Sequence, residues 1–418
     1  MTATSTHDVA VIGAGIVGVC CALELQAAGH RVTVYDPKPP GTATSFGNAG
    51  MIAAGSIIPY SWPDLWKSVP SMLFDPMGPL TLRWQHLPRA APWLLRFLAA
   101  GRRSSFDRIT SEMAPLVGTA RPAHDALITA HRIDPALVSP NGYLMAYRSE
   151  GKFATTSLLR ELLATHNVRF DVLDAHELRQ LEPGLSREFQ KALFIPDGTF
   201  VTESVALTRA YADAFVGRSG EFKQLTVRST EMGPDGPRAV LTEGGRFAAD
   251  RVVIAAGAWS RALARQLGSD VPLEAKRGYH INVPWNDKVV LNRPVVVGEG
   301  QYTLCPMRDG VRVTGGVEIG GLDLPPDYRR IRRLLPHAQQ SLPGLGETID
   351  REWMGHRPAL PDSKPVIGNA PRRPGVYFAF GHGHLGLTLS AITARLVAEM
   401  VANRAPSVPI EPFRIDRF

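Results

Sequence analysis

The clearest pattern in the chain lies near its N-terminus, where an apolar run leads into glycines and then into helical spacing. Residues 9–12 are all apolar, which is typical of a strand buried on both faces. Residues 13–18 read Gly-Ala-Gly-Ile-Val-Gly, and residues 19–28 predict a helix. A second apolar run at residues 32–35 ends in Asp36. The order of strand, glycine turn, helix, strand and acid indicates one parallel α/β unit.

This unit has the features of a dinucleotide-binding motif. Gly13 permits a tight turn, Gly15 lets a pyrophosphate approach the backbone, and Gly18 lets the helix pack closely on the sheet. The N–H groups at the helix N-terminus favour phosphate. Asp36 stands where a carboxylate accepts from ribose hydroxyls, about 20 residues after the glycines, and it disfavours a 2′-phosphate. The motif therefore favours FAD or NAD over NADP.

The later patterns divide into two groups. Apolar strands that break at small residues are predicted at 252–255 and at 376–380, the second followed by a glycine turn and a helix over 387–401. Alternating segments at 278–283, 293–297, 302–306 and 311–315 predict an antiparallel sheet in a second lobe, inserted between halves of the first. The other predicted elements are helices at 106–132, 155–165, 175–185 and 205–215, the last capped by residues 202–204, and strands at 143–147, 192–195, 223–228 and 238–241.

Composition narrows the protein class. The 418 residues are 44% hydrophobic and suit two domains, or one large domain with a second lobe. The net charge of +7 comes from dispersed basic residues, so nucleic-acid binding is not expected. Three cysteines, two of them adjacent, predict neither a metal site nor a disulfide framework. No apolar stretch reaches the roughly 18 residues of a membrane span, and residues 1–8 lack the basic start of a signal peptide, so a cytoplasmic protein is expected.

Residues 56–103 have a different composition, with four of the seven tryptophans at Trp62, Trp66, Trp84 and Trp93. One interpretation is a helical lobe that packs on the second domain or on another subunit. The other is a patch that lies on the inner face of a membrane, with tryptophans at the interface and basic residues beside the headgroups. The sequence leaves both open.

Four stretches together resemble the FAD-dependent D-amino-acid oxidase and dehydrogenase family, and are closest to its bacterial D-amino-acid dehydrogenases. They are GAGIVG with Asp36, TSFGNAGM at 44–51, AAGAWS at 255–260, and HRPALPDSKPVIG at 356–368 with GHGHLGLT at 381–388. The resemblance implies an α/β fold in which a discontinuous, Rossmann-like FAD-binding lobe (residues 1–55, 198–270 and 352–418) carries an α+β substrate lobe on a mixed or antiparallel sheet (56–197 and 271–351).

The resemblance also implies a reaction. The Cα hydrogen of an amino acid leaves as hydride to FAD, and the imine is hydrolysed to a 2-oxo acid and ammonium. Arg357 matches the arginine that binds the substrate carboxylate, and a guanidinium suits that role because it binds carboxylates bidentately. Tyr302 matches a substrate-site tyrosine, and His384 stands where relatives vary. Tyr279 and His280 are consecutive on one strand and face opposite sides, so only one of them can reach the ligand.

The residues expected to contact FAD lie mostly in the same four stretches, with Pro37 and Val227 in addition. They are Gly13, Gly15, Ile16, Val17, Gly18, Asp36, Pro37, Thr44, Ser45, Asn48, Ala49, Gly50, Met51, Val227, Ala256, Gly257, Gly381, Gly383, His384, Leu385, Gly386, Leu387 and Thr388. No cysteine stands near Arg357 and no histidine stands in the 44–51 loop, the positions through which some relatives attach flavin, so the FAD is expected to be noncovalent. The backbone N–H groups after Gly381 are expected to stabilise negative charge on the reduced flavin.

Three functions remain open from the sequence. The first is a D-amino-acid dehydrogenase, with a cyclic imino acid such as D-proline or D-hydroxyproline among its candidate substrates and a quinone or another acceptor. The second is an oxidase of glycine or sarcosine type that uses oxygen. The third, a nucleotide-binding protein without turnover, is disfavoured by Arg357 and by the two phosphate-binding turns. Side-chain preference and oligomeric state are not encoded in these motifs.

Overall fold

The computed structural model describes residues 6–74 and 80–418. Its helices are α1 Ile16–Ala27, α2 Leu65–Phe74, α3 Leu87–Ala100, α4 Arg103–Gly118, α5 Ala120–His131, α6 Glu150–Ala154, α7 Ser157–Thr165, α8 Ala175–Leu181, α9 Ser204–Val216, α10 Ser260–Gln266, α11 Arg329–Arg332, α12 Leu334–Ser341 and α13 Gly386–Val401. Its strands are β1 Asp8–Ile12, β2 Arg31–Tyr35, β3 Met51–Ile52, β4 Leu80–Leu82, β5 Val138–Ser139, β6 Tyr143–Tyr147, β7 Asp171–Asp174, β8 Lys191–Ile195, β9 Thr199–Val201, β10 Glu221–Lys223, β11 Val227–Met232, β12 Pro237–Thr242, β13 Gly245–Ala248, β14 Arg251–Ile254, β15 Glu274–Val283, β16 Val295–Val297, β17 Tyr302–Met307, β18 Gly310–Ile319, β19 Arg351–Ala359, β20 Val366–Asn369 and β21 Val376–Phe380.

A six-stranded sheet contains the N-terminal unit. Its strand order is β10-β2-β1-β14-β21-β20, and all neighbours are parallel except β20 and β21. β1, β14 and β21 are apolar on both faces because helices cover them, and α1 packs beside α13 on one face. Since β1 and β21 run in the same direction, the turns that follow them reach the same edge of the sheet.

The second large sheet has nine strands and is mostly antiparallel. Its main order is β19-β15-β18-β17-β16-β6-β8-β7, and β4 adds to β18. β15 lies between β18 and β19, and all ten of its residues are buried. The sequence analysis placed residues 352–418 in the other lobe, but β19 pairs along its whole length with β15. The return to the six-stranded sheet therefore comes after Ala359.

Several element boundaries differ from the prediction for local reasons. The predicted helix over 106–132 is two helices, α4 and α5, because Pro122 has no N–H to donate to the carbonyl of Gly118. The predicted strand over 223–228 is divided between β10 and β11, which belong to different sheets. α9 begins at Ser204 after Glu203, and no side-chain cap forms at that N-cap residue.

The tryptophan-rich segment is partly buried and partly exposed. Trp93 on α3 is 5% exposed and its indole N–H donates to the carbonyl of Ala359 at 3.1 Å. Trp66 and Trp84 are 63% and 72% exposed. Within the described residues, every helix is either too short or too polar to cross a bilayer.

Candidate active site

The turn between β1 and α1 requires glycine at two positions. Gly13 has a φ of 111°, and a Cβ added there would lie 2.5 Å from the carbonyl oxygen of Ala255. A Cβ on Gly18 would lie 1.9 Å from the carbonyl oxygen of Gly13. Gly15 is the N-cap of α1 and has no side chain to cover the helix end, where Ile16 and Val17 form the first turn. The turn therefore leaves a bare helix N-terminus at the sheet edge.

Asp36 is held in place by the backbone of the same turn. Its carboxylate accepts from the N–H of Ala14 at 2.8 Å and from the N–H of Lys38 at 2.8 Å. Burial raises the pKa of the Asp36 carboxyl, and these two hydrogen bonds oppose that rise. Pro37 follows directly, and its carbonyl accepts from Gln224. The acid is thus fixed beside the glycine turn.

The loop that contains residues 44–51 lies against the same helix end. Ser45 Oγ accepts from the N–H of Ile16 at 3.0 Å, and Thr44 donates to the carbonyl of His356 on β19. Asn48 orders the loop, because its side chain donates to the carbonyl of Ser45 and accepts from the N–H of Gly50. This loop connects the glycine turn to the nine-stranded sheet.

A second turn, between β21 and α13, reaches β19 from the other side. Gly381 and Gly383 have φ values of 83° and 56°, and the N–H of Gly383 donates to the carbonyl of Pro358 at 2.8 Å. Leu385 is the N-cap of α13 without a side-chain cap, and Gly386, Leu387 and Thr388 form the first turn. Thr388 Oγ1 donates to the carbonyl of Met51 and so joins the two loops.

The remaining predicted cofactor residues fall into two groups. Ala256 and Gly257 follow β14 at the backbone that Gly13 approaches, so they belong to the same edge. Val227, at the start of β11, is buried in the cluster that contains Tyr35, and Ala49 packs against Phe200 and Cys305. These last side chains contribute packing around the edge.

The face of the nine-stranded sheet beside these turns has two glycines at its centre, and larger side chains lie over them. On this face β15 and β19 pair Lys276 with Arg357, Gly278 with Gly355, and His280 with Trp353. Cross-strand partners point to the same side, and the central pair has no side chains. The Arg357 guanidinium lies over Gly278, since a Cβ there would be 2.2 Å from its central carbon. Trp353 lies over Gly355 in the same way.

Arg357 and His384 are the two predicted substrate residues that the structure brings together. Arg357 Nη1 donates to His384 Nε2 at 3.0 Å and to the carbonyl of Gly316 at 3.3 Å. Among the described residues no carboxylate pairs with Arg357. Burial lowers the pKa of Arg357 to about 10, which leaves it charged at neutral pH. Burial and two neighbouring cations hold the pKa of His384 well below its ordinary value. His384 is therefore a neutral imidazole with its proton on Nδ1, an atom that is buried without a partner in the described protein.

Lys276, Tyr60, Trp93 and Phe97 complete this site, and the sequence analysis missed them. Lys276 is 6% exposed. Its ammonium lies over the rings of Tyr60, Phe97 and Trp93, at 5.1, 5.4 and 5.8 Å from their centroids. The Tyr60 ring also packs on His384 at 4.2 Å. β15 begins at Glu274, before the predicted start at residue 278. Lys276 therefore lies on this strand, two residues before Gly278 and on the same face, and that position was the missed signal.

The other predicted substrate residues lie apart from Arg357. The hydroxyl of Tyr302 donates to the carbonyl of His337 at 2.7 Å and bonds with Ser341 at 2.6 Å, inside the core of the substrate lobe. Tyr279 faces away from Arg357 and donates to Glu318 at 3.0 Å. His280 lies on the same face as Arg357, stacks on Trp353 and donates from Nδ1 to the carbonyl of Gly47. Of the consecutive pair, His280 is the residue on the site face.

Comparisons with known proteins agree with this architecture. The family model described as "FAD dependent oxidoreductase" (DAO) matches residues 8–400. A D-amino-acid oxidase of Bradyrhizobium diazoefficiens is 35% identical and covers 99% of both chains. A D-amino acid dehydrogenase of Rhodopseudomonas palustris is 32% identical over 98% of this chain and 97% of its own.

Solved structures resemble the fold over nearly its whole length. Glycine oxidase from Geobacillus kaustophilus superposes with a TM-score of 0.78 at 22% identity, covering 99% of this chain and 100% of that one. L-proline dehydrogenase from P. horikoshii gives a TM-score of 0.74 at 20% identity, covering 99% and 98%. At these identities the likeness concerns the fold alone.

Proposed function

This chain belongs to the DAO family of FAD-dependent oxidoreductases, and we propose that it oxidises a D-amino acid to its 2-oxo acid. The family membership supplies the cofactor and the reaction class. The choice of D-amino acids is supported by the names of the two relatives that match nearly the whole chain. The choice of an amino acid as substrate rests on Arg357.

The residues at the sheet edge fit FAD. Gly13 and Gly18 leave no room for a Cβ, so the backbone and the α1 N-terminus are open to a pyrophosphate. Asp36 is oriented beside them and can accept from a ribose. The N-terminus of α13 is a second position that can stabilise negative charge. We propose that the contacting residues are those predicted from the sequence, with Val227 and Ala49 acting through packing.

The observation that carries the proposal is the environment of Arg357. Its guanidinium is partly buried, charged and unpaired with any described carboxylate, and it lies over a glycine at the centre of the sheet face. A buried cation without a counter-ion is costly, and a substrate carboxylate would compensate it through two charge-assisted hydrogen bonds. Arg357 would therefore fix one end of an amino acid.

The reaction needs few protein groups beyond this anchor. The substrate ammonium loses one proton to solvent, the Cα–H bond breaks with its electron pair leaving as hydride, and the resulting iminium carbon is attacked by water to give a 2-oxo acid and ammonium. Bound FAD supplies the two-electron acceptor for the hydride. Arg357 holds the carboxylate, and the Nδ1–H of His384 is available to the same ligand. Tyr60, Trp93 and Phe97 exclude water around Lys276 and the substrate.

We also propose a division into lobes. Residues 1–55, 198–270 and 360–418 would form the FAD lobe, and 56–197 with 271–359 the substrate lobe, because β19 belongs to the larger sheet. A cytoplasmic location and a quinone acceptor remain parts of this proposal. The exposed Trp66 and Trp84 support contact with a membrane or with another subunit.

Anaerobic flavin bleaching tests the function directly. The purified holoenzyme is mixed without oxygen with D-, L- and N-methyl amino acids, including D-proline, and its visible absorbance is followed. We expect bleaching by at least one D-amino acid and none by its L-enantiomer. A holoenzyme that no D-amino acid bleaches would overturn the proposal.

The alternative is an oxidase of the glycine or sarcosine type. Arg357 would bind the carboxylate of a D-amino acid, glycine or sarcosine equally well. Its position therefore does not distinguish the dehydrogenase from the oxidase. Bleaching by glycine or sarcosine, followed by rapid reoxidation in air, would favour this alternative. Slow reoxidation by oxygen and fast reoxidation by a quinone would favour the dehydrogenase.

A further inference from the structure

We propose that the site selects an amino acid with an acidic side chain, whose second carboxylate binds Lys276 while its α-carboxylate binds Arg357. This inference rests on the proposed function and names the substrate class for it. The chemistry is that of a dicarboxylic amino acid such as D-aspartate or D-glutamate. It follows from the placement of two cations on one face of the sheet.

Strand pairing brings the two cations together. Lys276 on β15 and Arg357 on β19 are direct cross-strand partners, so both side chains leave the same face. The Tyr60 ring lies 4.2 Å from the ring of His384, which hydrogen-bonds to Arg357, and 5.1 Å from the Lys276 ammonium. Tyr60 thus contacts both Lys276 and the histidine that bonds to Arg357, so the two positive groups belong to one site.

Neither cation has an acidic partner in the described part of the chain. The nearest acid on the same face of β15 is Glu274, and its carboxylate is occupied by His86 at 3.0 Å and by the N–H of Ala275 at 3.1 Å. Glu318 pairs with Arg277 on the opposite face. Lys276 has only ring faces around its ammonium. A salt-bridged structural lysine would show a carboxylate here.

Ring faces alone compensate a buried ammonium poorly. Cation–π contacts contribute less than the cost of removing an ammonium from water. Burial and the nearby Arg357 accordingly lower the pKa of Lys276 to about 7. A ligand carboxylate would reverse that shift by pairing with the charged form. The site is therefore arranged to gain more from a second anion than from an apolar group.

The charges of site and substrate also match. With Lys276 protonated the site carries two positive charges, because His384 stays neutral. An acidic amino acid whose amine has lost its proton carries two negative charges. A monocarboxylic substrate would leave one buried cation without a counter-ion. Complementary charge thus favours the dicarboxylic class.

Ligand binding to the intact holoenzyme tests this without requiring turnover. Succinate and glutarate are titrated against butyrate and valerate, which have the same chain lengths with one carboxylate, and binding is measured by calorimetry and by the flavin absorbance. We expect the dicarboxylates to bind about 10- to 100-fold more tightly, the range of one charged hydrogen bond. Anaerobic bleaching by D-aspartate and D-glutamate is compared with that by D-alanine and D-norvaline.

Three variants locate the effect. Lys276→Met should remove the preference for dicarboxylates, and Lys276→Arg should retain most of it. Lys67→Met, an exposed lysine on α2 with the same change in net charge, should leave it unchanged. Flavin content and thermal unfolding verify folding, and Lys276→Arg keeps the test decisive if Lys276→Met fails to fold.

The possible outcomes distinguish a failure of this inference from a failure of the proposed function on which it rests. Equal affinity of the wild type for mono- and dicarboxylates, or a preference that survives in Lys276→Met, would overturn the role of Lys276. Bleaching by D-alanine but not by D-aspartate or D-glutamate would do the same while leaving D-amino-acid oxidation intact. A dicarboxylate preference without bleaching by any D-amino acid would overturn the proposed function alone.

Discussion

Arg357 has a partly buried guanidinium whose protein partners are a carbonyl and a neutral imidazole. Replacing it with methionine should weaken substrate binding by about 2–5 kcal/mol, because the substrate carboxylate would lose its paired charge. Stopped-flow flavin reduction at varied substrate concentration gives the apparent constant. Arg351→Met, on the same strand but half-exposed and paired with Asp309, is the matched control and should behave as the wild type. Undiminished reduction in Arg357→Met would contradict the carboxylate role.

Lys276 also makes a prediction about stability. Its pKa is about 7 in the folded protein against an ordinary 10.5, so the unfolded chain binds more protons between these values. Stability is therefore lost as pH falls from about 10.5 to about 7, and the loss is complete below pH 7. Lys276→Met removes this loss and should raise the unfolding temperature of the holoenzyme most at pH 6. The advantage should shrink towards pH 9, by up to about 1.4 kcal/mol per pH unit. Lys67→Met is the control, and a pH-independent difference would speak against a buried, weakly compensated ammonium.

The sequence predicted some of these residues and missed others for a physical reason. Arg357 and His384 stood in motifs of local sequence, and both lie in the site. Lys276 acquires its role only through pairing with β19, and no local pattern reports which strands pair. Tyr302 matched a substrate residue by position, yet its hydroxyl is satisfied within the core. The partner of a side chain is a tertiary property.

β19 is the element that joins the two glycine turns. Thr44 bonds to its His356 carbonyl, and Gly383 bonds to its Pro358 carbonyl, on either side of Arg357. Residues 356–359 include Pro358 and the polar His356 and Arg357, so the segment lacks the apolar alternation by which a strand is predicted from sequence. The unit β1–α1–β2, by contrast, was predicted nearly to its ends, because its apolar runs and glycines are local signals.

The contact between α1 and the β1 turn leaves no room for a side chain. Gly18→Ala would place a Cβ 1.9 Å from the carbonyl oxygen of Gly13 and push the helix away from the turn. We expect loss of most bound FAD and a lower unfolding temperature, measured from the flavin to protein absorbance ratio and by calorimetry. Gly118→Ala at the end of α4, where an added Cβ meets nothing within 4 Å, should keep its flavin. Full flavin content in Gly18→Ala would show that the turn tolerates displacement.

The two most exposed tryptophans of the described residues, Trp66 and Trp84, lie on one segment of the chain. Trp66 and Trp84 lie among the exposed Lys67, Arg89 and Arg96, a combination that suits an anionic bilayer surface. We expect the holoenzyme to sediment with phosphatidylglycerol vesicles at low salt, and the double change Trp66→Ser with Trp84→Ser to reduce the bound fraction. Val216→Ser, an exposed apolar residue elsewhere, is the control. Absence of vesicle binding together with self-association in sedimentation would favour the packing interpretation.

The presence of two kinds of sheet was predictable, whereas the strands that each sheet contains were not. Length and the two kinds of strand pattern indicated a parallel sheet and an antiparallel one, and both are present. The predicted lobe boundary at residue 352 was placed from a sequence motif, and it lies inside β19. Patterns identify elements, and hydrogen-bond pairing assigns them to layers.

The pairing of Lys276 with Arg357 has a consequence for recognising related proteins. Each residue alone is ordinary, and the two stand far apart along the chain, so a comparison that weighs positions singly will treat a relative with one of them as nearly equivalent. A relative that keeps the arginine and replaces the lysine by an uncharged residue should accept a different set of side chains. Sorting relatives by both positions together would therefore divide this family by substrate class.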